Sequence, residues 1–308
     1  MTSRRFRAGF VCAGLLALGL ALPLSYTVTP MPSIEAAVSS EDAEMAKKLA
    51  ARANDALVWK DDADHALVFA DQAIQFDPDC LPAYLYRAQA HAKRGEHAAA
   101  IPDFNYYLER KTDNADAYRC RGESYYETGN DAKAITDFTR AIQRKNDKYI
   151  LYQDRGRAYL RTKDYDKAIS DFTNVIRYEP NVPVFSKTIL TNAYTNRGQC
   201  YLRKKMHDKA IQDFTQAITI YTKNPYAYNG RGAAYLELGK YDDAIHDFKK
   251  AIELNPQEYA PYPNLAWTYY YIGNYAESDR YAKRAEALHP GCTNDLLKRL
   301  QAKGYGRS

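Results

Sequence analysis

Cysteine, methionine and tryptophan are all scarce in this chain: five, four and two in 308 residues. Cys12 lies in the amino-terminal region, and Cys80, Cys120, Cys200 and Cys292 are spread widely, with no CxxC and no Cys/His grouping. That spacing gives no zinc site and no disulfide framework; it favours buried or half-buried thiols and leaves their pairing open. Nor is there an HExxH, a GxSxG or a GxxxxGK[ST]. The stretch "GAAYLELGKY", Gly232 to Tyr241, has the wrong spacing for a phosphate loop. The six histidines (His65, His91, His97, His207, His246 and His289) are scattered. The chain therefore reads as a non-enzyme without a metal or a cofactor.

A strong excess of one charge is missing as well. The net charge is +5, and Arg4, Arg5 and Arg7 supply three of those charges, with no acidic residue in the first 25 positions. The remainder is too balanced to argue for nucleic acid. Tyrosine, by contrast, is abundant at 28. A buried tyrosine ring adds apolar area and still needs a partner for its hydroxyl.

The three arginines precede an uncharged stretch, "AGFVCAGLLALGLALPL", Ala8 to Leu24. Basic-then-apolar is the order of an export signal, and Gly19-Leu20-Ala21 offers small residues for cleavage. The run is also at the lower end of the ~17–25 residues that span a bilayer. Residues 1–25 are thus expected to be a signal peptide or a membrane anchor through 8–24, with cleavage left open. The protein is expected outside the cytoplasm, periplasmic or secreted, or anchored. Residues 26–44, with Pro30, Pro32, Ser33, Ser39 and Ser40, read as a linker.

Beyond this point the sequence repeats. Gly122, Gly156, Gly198 and Gly232 each stand three residues before a tyrosine and twelve before an alanine, with Phe138, Phe172, Phe214 and Phe248 four residues further on. The frame extends backward through Ala88, Ala100 and Phe104 and forward through Ala266, Tyr269, Gly273 and Ala285. Seven units result, near 47–80, 81–114, 115–148, 149–182, 191–224, 225–258 and 259–292, with an insert near 183–190. Each reads as two helices. In the sixth, Tyr228, Gly232 and Tyr235 share one face, Gly239 breaks the chain, Ala244, Phe248 and Ala251 share the next, and Asn255-Pro256 ends it. The insert, "NVPVFSKT", reads as a longer turn or an extended helix. Residues 293–308 are expected to be a capping helix with Leu296, Leu297 and Leu300 on one face, followed by a tail.

The pattern resembles the tetratricopeptide repeat (TPR) family over residues 47–292. The resemblance implies an all-α fold: a right-handed superhelical solenoid of helix hairpins, with a concave groove lined by the first helices. The chain departs from the family where an arginine and an aspartate recur sixteen residues apart: Arg87/Asp103, Arg121/Asp137, Arg155/Asp171, Arg197/Asp213 and Arg231/Asp247. The end units carry Ala53/Phe69 and Leu265/Tyr281 instead. Charges that come and go together predict a structural ion pair across or between hairpins rather than a catalytic dyad.

The family's use of its groove implies a protein or peptide partner. Carried onto this frame, Gln153, Arg157, Arg161, Asn192, Gln199 and Arg203 form a basic, amide-rich strip suited to an acidic segment or a terminal carboxylate. Trp267, Tyr270 and Tyr271, with Tyr226, form an aromatic patch. The five-residue Lys/Asn clamp by which some relatives hold chaperone tails is absent from any three successive units. The reading is an exported interaction scaffold that assembles or recruits envelope or secreted proteins. A self-assembling structural protein is the alternative, and an RNA-binding helical repeat a weaker one. Nucleic acid is not expected, and membrane contact only through an uncleaved amino-terminal segment.

Overall fold

Side-chain caps start many of these helices and left-handed residues end them. Asn114 Oδ1 accepts from the Ala117 amide, Asn274 from Glu277, and Asn224 from both Tyr226 and Ala227, with Pro225 in the first turn, where its missing N–H costs nothing. Between the helices of a hairpin the chain turns at a positive φ, +70° at Gly239 and +79° at Gly273. Three hairpins lack the glycine and place Asp61, Lys163 and Lys205 there, at φ 56°, 64° and 57°.

The computed structural model describes residues 38–144, 149–177 and 186–305. They form α1 (Ser40–Trp59), α2 (Ala63–Phe76), α3 (Leu81–Lys93), α4 (His97–Arg110), α5 (Ala115–Glu127), α6 (Asp131–Arg144), α7 (Tyr149–Arg161) and α8 (Tyr165–Arg177). The series continues with α9 (Ser186–Arg203), α10 (His207–Ile220), α11 (Pro225–Glu237), α12 (Tyr241–Leu254), α13 (Pro261–Tyr271), α14 (Tyr275–Leu288) and α15 (Asn294–Ala302). Odd and even helices pair into seven hairpins, each packed on the next, and the first helices of successive hairpins also touch one another. Contacts therefore run between neighbours, as in a solenoid.

The core is repeated rather than central. Phe104, Phe138, Phe172, Phe214 and Phe248 are each at most 2% exposed. Four of these rings occupy the space beside the glycine of their own hairpin: a Cβ on Gly122, Gly156 or Gly232 would come within 2.8–2.9 Å of a ring carbon, and on Gly198 within 3.1 Å. The second hairpin uses Ala88, itself fully buried.

Two boundaries differ from the sequence reading. The first helix starts at Ser40, inside the expected 26–44 linker, because Ser39 accepts a hydrogen bond from the Asp42 amide and nucleates the turn. The part of the insert that is described is helical: α9 runs 18 residues from Ser186, against 13 for α7 and α11. The expected export segment, most of the linker and residues 178–185 lie outside the described residues. Thr293 stands before α15, and its hydroxyl is taken up by the Ala282 carbonyl and Glu286 instead of the first turn of that helix. Leu296 and Leu300 are fully buried against the last hairpin. No helix among the described residues is long and apolar enough to cross a membrane.

Candidate interaction groove

The repeated arginines organise the stack from inside. Arg87 donates through Nε and Nη2 to both oxygens of Asp103, Arg121 to Asp137, Arg155 to Asp171, Arg197 to Asp213 and Arg231 to Asp247, all at 2.6–2.9 Å. The aspartates lie inside the hairpins rather than on a binding face: Asp103, Asp137, Asp171, Asp213 and Asp247 are buried, at 1–7% exposure. None of these ten residues lines the groove cavity described below. A carboxylate in such a place can neither meet a partner nor do without its arginine.

The sequence left open whether the pair acts within a unit or between units, and the geometry does both. The remaining Nη1 of each arginine crosses to the preceding hairpin and donates to Asp71, Asn105, Thr139, Thr173 or Thr215 at 2.8–3.2 Å. Each guanidinium thus fastens its own two helices and the unit before. Arg121, Arg155, Arg197 and Arg231 also lie between two tyrosine rings: Arg155 Cζ is 5.6 Å from the Tyr152 centroid and 5.8 Å from Tyr159. Burial pushes the Asp171 carboxyl up, and the two hydrogen bonds from Arg155 pull it back only in part. The acceptor on the previous unit was legible but unread: an Asp, Asn or Thr stands two residues after the aspartate position wherever the next unit has an arginine. Lys249 stands there where the next unit has Leu265.

With the hairpins locked, one row of side chains on the first helices faces a concave space. A cavity of about 890 Å³ opens between α9, α11 and the start of α13. Asn192, Asn196, Gln199, Asn229 and Asn264 line it, with Tyr226 and Tyr259 at its rim and Arg203, Lys205 and Glu237 among its charges. Asn264 Nδ2 donates to Asn229 Oδ1 at 3.2 Å. Asn224 is occupied differently, capping α11 and donating to Thr195 Oγ1. At the Asn196-equivalent position of α11 stands Gly230; a Cβ there would collide with the Phe214 ring, so the ring fills the floor of the cavity.

Three of the strip residues meet here: Asn192, Gln199 and Arg203 all line the cavity and are exposed. The other three do not act as a free basic strip. Arg161 is bound to Asp131 and to the Tyr126 carbonyl and lies 3.6 Å from the Tyr126 ring centroid. Arg157 sits 4.8 Å over the same ring, with Asp154 Oδ1 3.9 Å away. Gln153 is half-buried, and its Oε1 has no hydrogen-bond partner. The aromatic patch is likewise divided. Trp267 and Tyr270 pack on the Leu296/Leu300 cluster of α15, with Arg299 over the indole at 5.5 Å, while Tyr271 stays 56% exposed. The capping helix thus covers part of a surface that the sequence reading gave to a partner.

Burial raises all four described thiols above the ordinary cysteine value. All four described cysteines are free, and burial pushes Cys120 up to about 11 and Cys200 up to about 12.

Hairpins in register, locked by repeated ion pairs and presenting an amide-lined inner face, define an α-helical repeat protein. Family models described as tetratricopeptide repeat match residues 66–115, 85–149, 149–182, 191–224 and 225–258, and the chain belongs to that family. Among solved structures it is similar to MamA, at 24% identity over 56% of this chain and 95% of that one, TM-score 0.50. It is similar to a tetratricopeptide repeat protein from Parabacteroides merdae, at 18% identity over 84% and 98%, TM-score 0.58. It also matches a chain of the APC/C hetero-tetramer Cut9-Hcn1, at 15% identity over 84% of this chain and 53% of that one, TM-score 0.61. These likenesses show the fold alone. No curated protein matches the chain.

Proposed function

We propose that this chain is a non-catalytic scaffold that holds an extended protein segment in the groove of its fifth to seventh hairpins. The carrying observation is the amide floor: the side chains of Asn192, Asn196 and Gln199 line a cavity of about 890 Å³ and make no hydrogen bond among the described residues. An amide side chain both donates and accepts, which is what an extended main chain needs on each side. Arg203 and Lys205 make no ion pair among the described residues and would favour a carboxylate at that end. The fold class supports the same reading, since tetratricopeptide repeat proteins generally serve protein–protein interaction.

The scaffold acts outside the cytoplasm in this reading, on exported or envelope proteins. What supports that part is the order of Arg4, Arg5 and Arg7 before the uncharged run Ala8 to Leu24. A photo-crosslinking residue at Gln199, compared with one at exposed Lys209 on α10, tests the groove. The reading expects discrete peptide adducts from Gln199 and none of the same peptides from Lys209. Identical adducts from both would contradict it.

A further inference from the structure

The groove floor does not stop at the amides. Asp154 on α7 occupies the same place in its hairpin as Asn196, Gly230 and Asn264 in theirs, so it stands next in the row beside Asn196. It is the row's one carboxylate from the fourth hairpin onward. Its side chain is only 16% exposed, yet Oδ2 has no hydrogen-bond donor, and the adjacent Gln153 Oε1 has none either. Buried acceptors without a donor are costly unless something arrives to donate to them.

The surrounding charges say what kind of donor. Arg119 and Arg157 approach Asp154 only to 3.6 and 3.9 Å. Arg119 is shared with Glu123 at 3.8 Å and also feels Cys120 and Asp116, while Arg157 lies over Tyr126. On α9 the neighbouring positions are Thr195 and Asn196, neither titratable. Burial, ahead of these charges, pushes the Asp154 carboxyl up to about 6, as expected of a group whose charge is poorly compensated in the free protein.

We propose that Asp154 is a specificity residue that receives a lysine or arginine side chain of the segment held in the groove. This rests on the groove reading above and deepens it: the occupant carries a basic residue, not only the acidic character that the sequence favoured. Packed helices lie about 8–10 Å apart and an extended chain advances about 3.3 Å per residue. The basic residue therefore sits about three positions from the stretch that crosses Asn196.

Selection from a displayed library of random twelve-residue peptides on the folded protein tests this. With the wild type at pH 7.5, lysine or arginine should be enriched at one position of the selected peptides. D154N should return that position to library background, and D154K should replace it with aspartate or glutamate. A selected basic peptide should bind D154N at least tenfold more weakly, and should weaken on the wild type as the pH falls through about 6. Cooperative melting of each variant shows that it is folded. Peptides that lack the basic position, or keep it with D154N, overturn the role of Asp154 and leave the groove standing. No enrichment over a groove-blocked N196R/Q199R variant overturns both.

Discussion

Arg155 and Asp171 illustrate how one pair of residues can be essential without adding much net stability. Both are largely buried, at 16% and 4% side-chain exposure. Taking two charges out of water costs several kcal/mol, which their geometry offsets. Removing one partner leaves the other charge stranded. R155M or D171L should each cost about 3–5 kcal/mol, whereas the R155M/D171L double variant should come near the wild type. Urea unfolding in a double-mutant cycle checks this, and additive single losses would contradict it. Asp154 behaves in the opposite sense. Its carboxyl is raised to about 6 in the folded protein, so folding favours the protonated form. Its contribution is favourable below the unfolded value, near 4, and is lost as the pH rises through about 6. D154N should therefore melt higher than the wild type at pH 7.5, and the difference should fall to about half at pH 5 and vanish below about pH 4. A constant difference at both pH values would show that its charge is not the cause.

Within a hairpin, the two kinds of backbone position pull in opposite directions. A methyl at Gly156 would enter the Phe172 ring at 2.9 Å, so G156A should destabilise by about 1–3 kcal/mol through overpacking. Lys163 holds a left-handed turn that costs a side-chain-bearing residue about 1–2 kcal/mol. K163G should recover about 1 kcal/mol, read as a higher melting temperature. The hairpins themselves were legible because glycine, alanine and phenylalanine recur at fixed spacing. Each recurring set answers one packing need: a gap, a close approach and a ring to fill it. The Arg–Asp recurrence was legible for the same reason, but the third hydrogen bond of each arginine, to the unit before, was not read. The amide floor was legible in part: Asn192 and Gln199 stood in the strip read from the sequence, but Asn196, Asn229 and Asn264 did not, because only the stacking of three hairpins brings them beside those two. The pairing of Arg161 was not legible because its partner, Asp131, is thirty residues away in the preceding hairpin. The packing of α15 on Trp267 and Tyr270 was not legible, because repeat spacing does not encode that contact.

At the scale of the whole stack, contacts between neighbours only mean that damage stays local. F104A and F248A, four hairpins apart, should each cost about 3–5 kcal/mol and add when combined, because they share no partner. The same locality lets a groove spanning a few hairpins be altered at Asn196 without disturbing the arginine locks elsewhere. It also makes the central claim directly measurable: the inner, first-helix face of the middle and carboxy-terminal hairpins is where a segment is held. Hydrogen exchange measured by mass spectrometry, with and without a selected peptide, reads that face helix by helix. Protection concentrated in α7, α9, α11 and the start of α13, with α8, α10 and α12 unchanged, is the predicted result. Protection on the second helices instead, or none on α9 and α11 at a saturating peptide concentration, would contradict the account.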